Sequence, residues 1–180
     1  MDEEKEKLIE EIEEQAIQYD MEYMGWTQSV LASLQEKLNI GNEVSFMAGS
    51  SLAGGVARHG ETCRALTGAI MAIGMVAGRK KIEDADSYQS CMKLAYEVRE
   101  KFLKRVGHTL CAEIHKILLG RSYRLYDDEE REKFHDDGGH AREGCPGVCG
   151  KAGRIAAEII LREQDNKMVD SFMTPLLTIT

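Results

Sequence analysis

The sequence is short of proline, with 2 in 180 residues, and short of aromatic rings, at 6%. Scarce proline leaves the backbone free to form long unbroken helices. Positive charge is also in deficit: 23 Lys and Arg stand against 31 Asp and Glu, a formal charge of −8. Nucleic acids and anionic membranes need a basic footprint, so neither is an expected partner. The longest apolar run, Ala65 to Gly78, is too short to cross a bilayer, so no membrane insertion is expected. The opening Met-Asp-Glu-Glu-Lys-Glu-Lys lacks the basic start and apolar core of a secretory leader. The cytoplasm is therefore the expected location, and there the 5 cysteines are expected to stay reduced. The chain has no glycine-rich phosphate loop, Ser/His/Asp triad, His-Glu-x-x-His or Cys-x-x-Cys-His pattern. Covalent haem attachment is not expected.

Hydrophobic residues make up 43% of the chain, enough for one domain with a sizeable core. Apolar positions recur at three- and four-residue steps through most of it. Leu8, Ile9, Ile12, Ala16 and Ile17 mark an acidic helix over Glu3 to Met24. Val30, Leu31, Leu34 and Leu38 mark a second, from about Trp26. A third is predicted over Glu43 to Ala57, although Gly49, Gly54 and Gly55 weaken it by roughly 1 kcal/mol each. A nearly all-apolar fourth runs from about Thr62 to Gly78 and marks the centre of the fold. A fifth covers Asp86 to Val106 and a short sixth Thr109 to Leu119. The last starts at Cys145-Pro146, with Cys145 at its N-cap, and Asp127 to Lys133 is a candidate isolated turn. No strand pattern is visible. The reading is all-α: one domain over 1–180, a bundle of about six to seven helices.

Three cysteines stand where chemistry is plausible. Cys63 follows Glu61-Thr62 at a helix entry, where free backbone N–H groups and the adjacent Arg64 favour a thiolate. The alternative is a buried small side chain at a helix crossing. Cys145 begins another helix, and Cys149 lies one turn on, a spacing that can chelate a metal or form a strained disulfide; the alternative is that Cys149 fills the core. Cys111 precedes His115 by one turn, and His59 precedes Cys63 by four residues; thiolate and imidazole together suit zinc, iron or copper. The candidate metal set is Cys63, Cys111, Cys145, Cys149, His59 and His115. His135 and His140 sit in a charged loop and read as solvated. Cys91 lies within an amphipathic helical pattern and reads as core.

Ala53-Gly-Gly followed by Gly60-Glu-Thr-Cys-Arg-Ala-Leu-Thr-Gly68, with Gly107 to Ile114 and Cys145-Pro146, resembles the redox-active protein family named C-GCAxxG-C-C. The resemblance spans about Met21 to Glu163, a helical core flanked by the acidic first helix and a C-terminal tail. Trp26 stands where the family has its first cysteine, Val56 stands at the cysteine of GCAxxG, and Arg64 replaces the glycine after Cys63. Only Cys63, Cys111 and Cys145 keep the family's thiols. The family is in turn similar to split-Soret cytochrome c, which implies a helical fold able to house a cofactor between helices or subunits.

Two functions follow as expectations. One is a redox-active or metal-binding cysteine protein with Cys63, Cys111 and Cys145 as its catalytic thiols. It would work in electron transfer or thiol–disulfide exchange with a redox protein partner, with iron–sulfur or a transition metal as the candidate cofactor. Cys63 and Cys145 would be its low-pKa thiolates. The other is a non-catalytic helical assembly module with a decayed cysteine site. It would be a homodimer or would use the acidic first helix as an exposed partner element.

Overall fold

The computed structural model describes residues 3–25 and 27–173, the side chains of 168–173 excepted. Trp26, which stands at the family's first cysteine position, and the tail beyond 173 lie outside the described residues. Among these, eight α-helices and no strand are found: α1 (Glu3–Tyr23), α2 (Thr27–Leu38), α3 (Glu43–Ala48), α4 (Arg64–Ala77), α5 (Ala85–Val106), α6 (Cys111–Leu119), α7 (Asp128–Asp136) and α8 (Cys145–Met173). The all-α class read from the periodicity is what the structure has. No described helix is long and apolar enough to cross a membrane.

The core is a packed bundle of α1, α2, α4, α5 and α8. Ile9, Ile12 and Ala16 of α1 and Ala152, Ile155, Ala156, Ile159 and Ile160 of α8 are fully buried in it. Small residues set how closely these two helices approach. A Cβ placed on Gly150 would lie 2.7 Å from Ile17 Cγ1, and one on Gly153 would meet Ala16 and Ile12 at 3.5 Å. Gly68 does the same for α4 against α2, where an added Cβ would lie 2.9 Å from the Thr27 carbonyl oxygen. Arg154 of α8 ties down the rim by pairing with Glu6 and Glu13 of α1. Helix α1 is therefore part of the core. Its apolar stripe is spent on α8, and it is not the free partner element suggested by its acidic sequence.

The third predicted helix is the largest departure. Helix α3 stops at Ala48, a 3-10 turn covers Gly49–Leu52, and the chain then winds the other way. Gly54, Gly55, Val56, Ala57 and Arg58 all have φ between 48° and 73°. L-residues avoid this region because Cβ crowds the following carbonyl, at roughly 1–2 kcal/mol per residue. The turn is held by backbone bonds that span it, among them Arg58 N–H to Ala53 O at 2.8 Å and Gly60 N–H to Gly54 O at 3.1 Å. Close packing thus offsets the cost of the glycines, but not in a helix. The candidate turn at Asp127 is a full helix, α7, capped by the Asp127 carboxylate accepting from Glu130 N–H.

Candidate functional site: a buried thiol chamber

The backbone assembles the site before any side chain does. The segment before α4 and the segment before α6 form a short antiparallel bridge at Thr62 and Leu110. Cys63 N–H donates to Thr109 O at 2.8 Å, Cys111 N–H to Glu61 O at 2.6 Å, and Ala112 N–H to Gly60 O at 3.0 Å. Successive side chains of an extended segment alternate between faces. Cys63 and Cys111 therefore share the face opposite Thr62 and Leu110, as diagonal neighbours. Gly55 of the left-handed turn lies against this pair; a Cβ on it would sit 2.7 Å from Cys111 Cβ.

Helix α8 contributes the other two thiols. Cys145 is its first residue, rather than the cap outside it, and Cys149 follows one turn on. All four cysteines have free thiols and are buried: Cys63 4% exposed, Cys111 2%, Cys145 6% and Cys149 0%. Three of the four stand at helix starts, since Cys63 caps α4 and Cys111 opens α6. Cys91 stays apart, half-buried on α5 against the aliphatic core.

Arg64 lies inside this chamber. It is 1% exposed and pairs with Asp20 of α1, itself fully buried, at 3.5 Å. The packing register explains the meeting. Gly153 lies over Ile12 and Ala16, and Gly150 over Glu13 and Ile17, so the antiparallel start of α8 falls beside Asp20. The charge of Arg64 is felt at Cys145, Cys149 and Cys111, and the thiols and Asp20 in turn hold the guanidinium protonated against its burial.

Burial decides the state of the thiols. At Cys63 the N–H groups of Ala65 and Leu66 and the charge of Arg64 favour a thiolate, but desolvation is larger and the pKa is raised. Those N–H groups act as electrostatic neighbours, not as capping hydrogen bonds. Burial pushes Cys145 up to about 12, with Arg64 opposing it, and raises Cys111 and Cys149 as well. The expectation that Cys63 and Cys145 are low-pKa thiolates is thus corrected. A helix start lowers a thiol's pKa when solvent can share the charge, and here none reaches it.

His115 lies 3.5 Å from Cys111, Nε2 to Sγ. Its ring packs on Phe134 and Tyr123, with centroids 4.8 and 5.8 Å away. Burial, then Arg64 and His140, lower its pKa to about 4, so it is neutral at pH 7. His140 meets Phe134 edge-on, with ring centroids 5.1 Å apart. It is not solvated as its charged loop suggested: burial lowers it to about 4 as well. His140 also lines an open cleft of about 1090 Å³, together with Tyr23, Met24, Arg58, Arg131 and His135. It therefore stands between the cleft and the field of Arg64 and Asp20.

The structure gathers Cys63, Cys111, Cys145, Cys149 and His115 into one buried region. It leaves His59 outside, exposed, with its ring stacked on Tyr126 at 5.0 Å and Nδ1 at 2.8 Å from Ala57 O. Among the described residues, no three His, Cys, Asp or Glu side chains converge closely enough to share one metal ion. Sequence reasoning missed Asp20 and gave Arg64 only a flanking role. The signal for Asp20 was present, because it continues the Ile9, Ile12, Ala16 stripe one turn further.

A family model described as "Putative redox-active protein (C_GCAxxG_C_C)" matches residues 27–159. This chain belongs to that family. The C-GCAxxG-C-C match takes in Cys63, Cys111, Cys145 and Cys149 and the left-handed turn, and a redox-related role goes with it. No curated protein and no solved structure matches the chain.

Proposed function

We propose that this protein carries out thiol–disulfide exchange, with Cys63 and Cys111 as the working pair. The observation that supports this most is the Thr62–Leu110 bridge, which holds the two thiols on one face. A disulfide needs Cβ atoms about 3.5–4.5 Å apart, closer than diagonal neighbours usually stand, so forming the bond requires the segment around Gly55 to move. In the forward direction Cys111, relieved of its burial once the turn opens, loses its proton to water and attacks a disulfide on a partner, releasing one partner thiolate. Cys63 then attacks the mixed disulfide, loses its proton and releases the second. The protein ends with a Cys63–Cys111 disulfide, and the partner ends with two thiols that take up the two protons. Opening of the turn at Gly55 exposes Cys111, and the cleft beside His140 receives the partner.

The test is mass mapping after mild oxidation with diamide. A Cys63–Cys111 cross-link that dithiothreitol reverses is expected, lost in Cys63→Ser and Cys111→Ser and kept in Cys91→Ser. Free thiols at both positions after oxidation would remove the proposal.

One observation favours a second reading, an assembly module. Tyr88, Met92 and Tyr96 form an exposed stripe at four-residue steps along α5. A dimer joined there would fall apart in Met92→Glu, as seen by sedimentation.

A further inference from the structure

His115 is 1% exposed, and its two ring nitrogens have different surroundings. Nε2 lies 3.5 Å from Cys111 Sγ, whereas Nδ1 is buried and meets no hydrogen-bond partner among the described residues. The ring is neutral at pH 7, so it carries one N–H and two tautomers are open to it. With the hydrogen on Nδ1, a full-strength donor is orphaned in a dry pocket, and Nε2 receives only the weak S–H of a thiol. With the hydrogen on Nε2, the donor points at sulfur and a lone pair is all that is left over. Buried N–H groups without acceptors are rarer than under-used acceptors, so the second tautomer is favoured.

The backbone keeps this donor with its sulfur. Cys111 and His115 stand one turn apart on α6, where side chains share a face. The left-handed turn at Gly54–Arg58 is a separate segment, so its opening uncovers Cys111 without drawing His115 away. The ring itself is held by Phe134 and Tyr123. At Cys63 the N–H groups of Ala65 and Leu66 favour a thiolate; at Cys111 the imidazole has that place.

We propose that His115 is a catalytic hydrogen-bond donor: its Nε2–H is held toward Cys111 Sγ and stabilises the thiolate that attacks. The role rests on the exchange reading, and the tautomer does not. Water takes the proton of Cys111, and His115 keeps its own, giving a charge-assisted hydrogen bond to the anion left behind. The groups whose charge reaches the pair are Cys63, Arg64 and Cys145 at the sulfur, and Arg64 and His140 at the ring. They are the same in every variant of His115, so comparing variants isolates the N–H.

The experiment is the pH profile of Cys111 alkylation by dilute iodoacetamide in reduced full-length protein, resolved by mass spectrometry. How often the turn opens scales the rate at every pH, while the midpoint reports ionisation of the uncovered sulfur. His115→Phe keeps a ring in place and is expected to raise the midpoint by about one to two pH units. His115→Gln, which keeps an N–H at the reach of Nε2, is expected to stay near wild type. An unmoved midpoint in His115→Phe overturns the proposal, as does a shift in His115→Gln as large as that in His115→Phe. Should either variant fail to fold, two-bond nitrogen–proton NMR of the histidine rings in wild type decides: a proton on Nε2 is expected, and one on Nδ1 overturns the proposal. A missing Cys63–Cys111 cross-link would strike the exchange reading and leave the tautomer and the midpoint shift as stated.

Discussion

Cys145 and Cys149 open helix α8, and Ile155, Ala156, Ile159 and Ile160 continue it; none of the six exposes more than 6% of its surface. The two stretches are equally dry and differ only in what they face. The later residues meet aliphatic side chains of α1 and α4, where exclusion of water is stabilising at roughly 25 cal/mol per Å². The first turn faces Arg64 and Asp20, where the same exclusion raises every thiol and leaves an ion pair with no solvent to share its field. One helix thus runs from the surroundings of a buried ion pair into an aliphatic core, with Cys149 touching both. Dryness stabilises or penalises according to the partner.

The largest test of this contrast is to break the pair at one end. Arg64→Ala leaves Asp20 buried without its cation and is expected to cost about 3–5 kcal/mol in urea unfolding. Replacing both, as Arg64→Met with Asp20→Leu, is expected to return stability to within about 2 kcal/mol of wild type. A single-variant cost below about 1 kcal/mol would mean that water reaches this end of α8, and the contrast would be lost. At the other end, Ile155→Ala is expected to cost about 3 kcal/mol through lost burial and the cavity left behind.

Much of this was legible in the sequence. The apolar periodicity of α1, α2, α5 and α8 announces a helical bundle because tertiary packing and local preference agree there. The segment Gly49 to Gly60 could not be read in the same way. Its glycines fit a close-packed helix as well as a left-handed turn, and only the bridge to Gly60–Thr62 selects the turn. The thiols were legible as residues and misread as ions. A helix start is visible in a sequence, whereas the desolvation that overrides it at Cys145 comes with packing against Phe134 and Tyr123, which no helical spacing ties to Cys145.

Acid sharpens the comparison next. His115 is held near 4, below its ordinary 6.5, chiefly by burial, so the folded state resists a proton that the unfolded chain accepts. Its contribution is complete above about 6.5 and is lost as the pH falls from 6.5 to 4, an expected loss of about 2–3 kcal/mol. His115→Phe should make that part of the stability curve shallower, the remaining slope belonging to His140, which burial also lowers to about 4. Glu14 and Glu97, held at about 2 chiefly by hydrogen bonds from Arg142 and Arg162, lose their contribution only below about 4.5. The two windows are therefore separable by denaturation at pH 7, 5 and 3. The smallest effect belongs to the surface. Arg142→Ala breaks a pair with Glu14 whose partners are 47% and 49% exposed, and solvent screening should leave urea unfolding indistinguishable from wild type.

The rung at Thr62 and Leu110 also sets a topological length. Helices α4 and α5 hang between residues 63 and 111, attached at both ends to that one rung. A covalent link between the two sulfurs would turn this stretch into a closed ring of about 50 residues, depriving the denatured chain of about 4 kcal/mol of conformational freedom. The electron count of the pair would then be written into the melting temperature, and a thermometer could report the redox state.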